Sequence, residues 1–268
     1  MKKQIAAATI IAAALLAGCG GGGGSTAPTT ATVAGKVADG YLVNAVVFMD
    51  KNGNYQLDAG EPSAITNDKG EYTLTVDPAD VGKYPIIARA DANVTIDKDT
   101  NTAVAHSYIM SLPKESVTGT VSSNFVSPMS TQLREMMESG SYANMQDAMA
   151  GLRTRLGVTP GTNIMGDYIA GQNNTLHIAA QNMAQLMGAQ SGLMFRNYSG
   201  ANRLDVTRYR GMMGAIFSNM SAVRTGAQMP QMTSGMTSNI SNITAGMPSQ
   251  NMSSFTSGMS WGGSMMGR

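Results

Sequence analysis

Between residues 31 and 110 apolar and polar positions alternate, or β-branched residues cluster, in five short runs: Thr32–Val37, Ala45–Met49, Tyr72–Val76, Ile86–Ala90 and Val94–Ile96. Gly, Asn, Asp and Pro separate them. Period-two runs bounded by turn formers predict strands, and several at this spacing predict a small β-sandwich over residues 31–110. From Ser127 the period becomes helical. "SPMSTQLREMMESG" offers Ser127 as N-cap and Pro128 at the first helical position, sets Met129, Leu133, Met136 and Met137 on one face, and stops at Gly140. Met145, Met149, Leu152 and Leu156 line a second helix closed by Gly157, and after an irregular stretch with Tyr168 a third face carries Leu176, Ala180, Met183, Met187 and Met194. Asp205 caps a fourth, striped by Val206, Tyr209, Met213, Phe217 and Met220. Four amphipathic helices with short joints predict an antiparallel bundle or array over residues 124–225. The expected class is α+β and multidomain: an N-terminal small β-sandwich, then an α-helical domain, then a disordered tail.

The two ends follow neither period. Residues 226–268 contain no charge before Arg268 and are rich in Met, Gly and Ser, which predicts a disordered low-complexity tail. The N-terminus reads "MKKQIAAATIIAAALLAGCG": two lysines, an apolar run from Ile5 to Ala17, and small residues ending at Cys19, the only cysteine. That run is too short to span a bilayer and has the form of a secretory signal. With "LAGC" at Leu16–Cys19 it resembles a bacterial lipoprotein signal. The resemblance implies that residues 1–18 are a signal peptide, that cleavage falls before Cys19, and that this residue is acylated and holds the protein to a membrane. Gly20 after the cysteine implies, by the same resemblance, the outer membrane if the cell is diderm. An ordinary signal peptide that happens to contain a cysteine is the alternative. Acyl chains contribute about 0.8 kcal/mol per buried methylene, so two or more anchor stably. Residues 19–30, "CGGGGGSTAPTT", are then a flexible tether. With no second cysteine there are no bridges, and stability rests on packing or metal.

Overall charge narrows the partners. Lys+Arg 18 against Asp+Glu 17 leaves a formal charge of +1, so no long-range field draws in nucleic acid. Charged residues are only 13% of the chain, which makes a dense local group conspicuous. "FMDKNGNYQLDAGEP", residues 48–62, is such a group. A Ca²⁺ cage needs six to eight oxygens, which a twelve-residue loop supplies at positions 1, 3, 5, 7, 9 and 12. Counted from Asp50, these are Asn52, Asn54, the Gln56 backbone carbonyl, Asp58 and Glu61. Position 6, where an EF-hand needs glycine, is Tyr55, and Gly53 stands close before it. The loop is entered from a strand run, and Pro62 disfavours a helical Glu61, so both flanks argue against a helix–loop–helix. The strand–"DxNxN…DxxE"–strand pattern, followed by "DKGEYTL", resembles the calcium-binding B-type modules of serine–aspartate repeat surface proteins and related prealbumin-like sandwiches. The resemblance covers roughly Val33–Val76 and implies a Ca²⁺-stiffened stalk or binding unit without catalysis. An Asn/Gly-rich hairpin with solvated carboxylates is the alternative.

Two further patterns bear on function. Thioethers are soft ligands for Cu⁺, so Met229, Met232, Met236, Met247, Met252, Met259, Met265 and Met266 offer a second metal chemistry, against the plainer reading that methionine merely fills helix faces and a biased tail. His106 and His177 have no His or Cys at ligand spacing. "GMSWG" at Gly258–Gly262 satisfies the nucleophile-elbow spacing, but no strand precedes it and no histidine follows. The sequence therefore reads as a lipid-anchored, non-catalytic structural, adhesion or binding module of the cell envelope, with an envelope protein or polysaccharide as partner. A copper-handling protein using the Met-rich tail is the alternative.

Overall fold

The computed structural model describes residues 30–119, 124–198 and 201–243. The signal, Cys19, the tether up to Thr29, Gly258–Gly262 and the methionines from Met247 onward lie outside the described residues.

The class is α+β. Ten strands come first: β1 (Ala31–Val37), β2 (Leu42–Val43), β3 (Val46–Met49), β4 (Ser63–Ile65), β5 (Glu71–Val76), β6 (Ile86–Ala90), β7 (Ile96–Asp97), β8 (Thr102–Ala103), β9 (Tyr108–Leu112) and β10 (Asn124–Val126). β1 lies between β10, parallel to it, and β5, antiparallel, while β4-β3-β6-β9 form an antiparallel sheet of four. β2-β7-β8 is a small third sheet. β5 shows the expected alternation, with Tyr72, Leu74 and Val76 buried and Thr73 and Thr75 exposed. The expected run Val94–Ile96 is displaced: Val94 is exposed in a turn, and the strand is Ile96–Asp97. Gly35 lets β10 approach β1, because a Cβ there would stand 1.9 Å from the Asn124 carbonyl oxygen.

α1 (Pro128–Glu138) begins as its sequence dictates: Ser127 and Ser130 exchange side-chain and backbone hydrogen bonds, and Pro128 occupies the first turn. Every residue from Pro128 to Met136 is buried, polar ones included. Two of these finish β9, since Thr131 Oγ1 accepts from the Ser111 amide at 2.8 Å and Ser130 Oγ donates to the Ser111 carbonyl at 2.7 Å. α2 (Met145–Leu156) ends at Gly157, left-handed at φ 62°. α3 (Asn174–Ala189) and the short α4 (Ser191–Met194) lead into the antiparallel pair β11 (Phe195–Tyr198) and β12 (Ala201–Leu204). α5 (Val206–Ser218), capped by Asp205, and α6 (Met220–Thr225) follow.

Two domain expectations change. The helices do not enclose a core of their own: Met129, Leu133, Met183 and Met213 belong to one buried apolar cluster with Val47, Ile87 and Met110. Ser130 and Thr131 of α1 are satisfied by β9, and the apolar residues of the helix complete the core of the sheets as well as that of the helices. The disordered tail expected from residue 226 is likewise corrected over α7 (Met229–Ser241), which buries Met229, Met232, Met236 and Ile240. Spacings of three, four and four residues make one helical stripe, which low charge and Ser/Thr content concealed. Arg208 of α5 ends this helix. Only 9% exposed, its guanidinium donates to the carbonyls of Ser241 at 3.3 Å and Ile243 at 3.0 and 3.1 Å, where a cation also suits the helix dipole. Met229, Met232 and Met236, three of the methionines offered as Cu⁺ ligands, are buried side chains of this stripe.

Candidate functional site

The chain leaves β3 at Met49 and enters the polar loop at Asp50, which is fully buried. Burying a carboxylate requires donors, and the loop folds to provide them. Gly53 and Asn54 donate backbone N–H to Asp50 Oδ1 at 2.8 and 3.1 Å, and Tyr55 donates to Oδ2 at 3.1 Å. The next side chains repeat the device: Asn52 Oδ1 accepts from the Asn54 amide and Asn54 Oδ1 from the Gln56 amide, at 3.1 and 2.8 Å. Glu61 closes the loop by accepting from the amides of Lys51 and Asp58 at 2.7 and 3.0 Å. Both asparagine side-chain amides meet Asp58 Oδ2, at 2.7 and 2.6 Å, and hold its carboxyl below the usual carboxylate range. The side-chain amides at positions 3 and 5 therefore turn their N–H groups to the carboxylate at position 9, while the carboxylates at 1 and 12 are held by backbone amides. Gln56, expected to present its carbonyl, is half-buried.

A carbonyl oxygen that accepts one N–H retains a second lone pair, so the loop holds oxygens of the kind a hard cation such as Ca²⁺ takes, with the Asn52 and Asn54 side-chain N–H groups, not their oxygens, turned to Asp58. Asp50, Asn52, Asn54, Asp58 and Glu61, with the Gln56 carbonyl, are the groups that would hold it. Among the described residues no group of three or more His, Cys, Asp or Glu side chains is gathered as a metal site, and part of this loop's donor set is asparagine amide and backbone carbonyl.

Tyr55 takes the left-handed turn, at φ 62°, that a glycine takes in an EF-hand. The strain is held by what its side chain reaches. The ring is 1% exposed, lies 4.0 Å from the Arg134 guanidinium and meets Tyr209 edge-on with centroids 5.4 Å apart. Its hydroxyl donates to Glu135 Oε1 at 2.6 Å. Arg134, 2% exposed, stands 3.5 Å from Asp50 Oδ2 and donates from Nε to Glu138 Oε1 at 2.7 Å. Arg210 of α5 pairs with Glu138 and lies 3.4 Å from Glu135. Three carboxylates and two guanidiniums thus form a network beneath the loop, buried at Asp50, Arg134 and Glu135 and open to solvent at Glu138. Desolvation raises the Glu135 carboxyl and outweighs Arg134; at the less buried Glu138, burial also pushes upward, but Arg134 and Arg210 win and hold it low. Burial, the Glu135 charge and the neighbouring carboxylates raise the Tyr55 hydroxyl well above its ordinary range.

No protein-family model, curated protein or solved structure matches this chain. Its chemistry is therefore read from its own side chains. The five expected side-chain ligands share this loop by sequence, and Asp50, Asp58 and Glu61 are not gathered into one carboxylate group; the partner network was not visible in sequence. Arg134 and Glu138 stand four residues apart on α1, a local signal of an ion pair, but nothing local ties them to Asp50 across 84 positions. His177, isolated in sequence, has Nε2 2.6 Å from Asp99 Oδ2 and its ring 5.7 Å from that of Tyr168. No helix among the described residues is long and apolar enough to cross a membrane.

Proposed function

We propose that this chain is a non-catalytic structural, adhesion or binding module of the cell envelope, carried on a lipid at Cys19, in which Ca²⁺ at the Asp50 loop stiffens a prealbumin-like β-sandwich. What supports the reading is that one short loop carries the side-chain oxygens of Asp50, Asn52, Asn54, Asp58 and Glu61, with the Asp50 and Glu61 carboxylates already fixed by backbone amides. Such a loop loses little entropy when it receives an ion. Bound Ca²⁺ would offset the repulsion between Asp58, Glu61 and Asp50, and through Tyr55 it would steady α1 and α5. Export leaves the chain without a disulfide to do this. The external face of a cell supplies calcium at the millimolar level to which sites of this kind respond, with dissociation constants of about 10⁻⁴–10⁻³ M.

The mature chain, residues 19–268 with Cys19→Ser to keep it soluble, is the material for the test, because the sheets and helices share one core. Calorimetric titration with Ca²⁺ is expected to give saturable binding in that range and a raised melting temperature, both lost in Asp58→Asn. An unchanged melting temperature at millimolar Ca²⁺ removes the calcium part of the proposal.

A further inference from the structure

Asn52 and Gly53, in the Asp50 loop, are the one Asn–Gly pair of the chain. Glycine puts no side chain in the way when its backbone nitrogen approaches the side chain before it, and both residues are exposed. A Cβ on Gly53 would meet nothing within 4 Å, so the peptide has open space in which a ring can close. Any exposed pair of this kind ages slowly by losing ammonia. What sets this one apart is that each atom taking part in that reaction has a hydrogen-bond partner suited to its role.

The nucleophile is the Gly53 nitrogen, and its N–H donates at 2.8 Å to Asp50 Oδ1, a carboxylate able to take the proton. Held by a main-chain carbonyl, the same N–H would have no base beside it. The electrophile is the Asn52 side-chain carbonyl. Its Oδ1 accepts at 3.1 Å from the Asn54 N–H, which is shared with Asp50 Oδ1, so a backbone donor already points at the oxygen on which negative charge would collect. The leaving nitrogen, Asn52 Nδ2, donates at 2.7 Å to Asp58 Oδ2, which fixes the plane of the amide.

We infer that Asn52 is a self-modification site, at which the folded loop promotes closure of a succinimide with Gly53 and its hydrolysis to a carboxylate. The Gly53 nitrogen bonds to Asn52 Cγ as its proton passes to Asp50 Oδ1. The Cγ–Nδ2 bond then breaks, and Nδ2 departs as ammonia, with a proton returned to it through solvent. Water opens the ring at either carbonyl, leaving aspartate or isoaspartate at position 52. No oxidant or reductant enters, and the change is a single turnover of the chain upon itself. The product no longer offers Asp58 a donor, so two carboxylates stand where an amide and a carboxylate stood. In the aspartate product this adds one charged oxygen ligand at position 3, and ligand charge tightens Ca²⁺ cages. That consequence rests on the calcium reading of the loop, whereas the conversion does not.

The test incubates the mature chain carrying Cys19→Ser near neutral pH with a chelator present, folded and in urea, and follows residue 52 by peptide mapping for the amide-to-acid mass change and for isoaspartate. A well-placed base contributes about 10²–10⁴-fold in evolved sites, and a carboxylate is a weak base for an amide, so the folded chain is expected to convert only about tenfold faster than the unfolded one. Asp50→Asn, which keeps an acceptor and removes the base, is expected to bring the folded rate down to the unfolded rate. Asp58→Ala, at an exposed position, is expected to slow the folded chain severalfold and keeps the test decisive if Asp50→Asn does not fold. A folded rate equal to or below the unfolded one, or an unchanged rate in Asp58→Ala, would overturn the inference. Because the chelator removes Ca²⁺ throughout, failure of the calcium reading and failure here are separable.

Discussion

The Tyr55 hydroxyl donates to Glu135 Oε1 at 2.6 Å, joining a surface loop to a buried helix eighty residues further along the chain. Tyr55→Phe keeps the ring and removes the donor, leaving a buried carboxylate oxygen unsatisfied. The expected loss is about 1–3 kcal/mol in urea unfolding. If the variant unfolds at the wild-type midpoint, Tyr55 is not what fastens the loop to α1.

Arg134 bears on three partners at once, Asp50, Tyr55 and Glu138. Removing one member of a buried ion network leaves the others uncompensated, and Arg134→Met is expected to cost about 3–5 kcal/mol. The same change frees the charge of Asp50, so the rise in melting temperature on adding Ca²⁺ is expected to be larger in the variant than in the wild type. An equal or smaller rise would show that Asp50 does not contribute charge to the ion.

Stability also depends on pH through Asp39. Its carboxyl ionises at about 7 when folded and at an ordinary value of 3.8 otherwise, so between these the folded chain holds a proton that the unfolded chain has released. Stability from this group is therefore complete below about 4, falls as pH rises through that interval, and is flat above it. The difference corresponds to an upper limit on the order of 4 kcal/mol. Comparing denaturant midpoints of wild type and Asp39→Asn from pH 4 to pH 8 isolates it: the variant is expected to gain on the wild type as pH rises. Parallel curves would count against a buried ionisable Asp39.

Met232 and Met236 are 3% and 2% exposed. Truncating either to alanine opens space in a packed core, and a loss of about 2–5 kcal/mol is expected for each. A loss near zero would return residues 229–241 to the disordered tail that composition predicts.

Legibility followed the range of the interactions. The start of α1 was visible because Ser127, Pro128 and Ser130 act on their own neighbours. The strands with period-two patterns were visible for the same reason, and β6 lies where its sequence puts it. Val94 misled because a β-branched residue beside Asn93 and Thr95 reads as strand, whereas Asn93, at φ 62°, turns the chain there. α7 was hidden by composition: its buried stripe consists of three methionines and an isoleucine among Ser, Thr and Asn. In the loop, the ligand positions could be counted, but Tyr55 looked like a defect. Its purpose is set by Arg134, Glu135 and Tyr209, which only the folded chain brings to it. Asp39 gave no signal at all, since a single Asp before Gly40 reads as a turn.

The way α1 finishes β9 has a consequence for self-association. In the four-stranded sheet the outer side of β9 is closed by Ser130 and Thr131, so no foreign strand can be added there without unseating a helix. The opposite side ends in β4, three residues long, with Ile65 66% exposed. A short terminal strand gives an incoming chain few amides to grip. The sheet is therefore a poor template for edge-to-edge growth between copies of this chain.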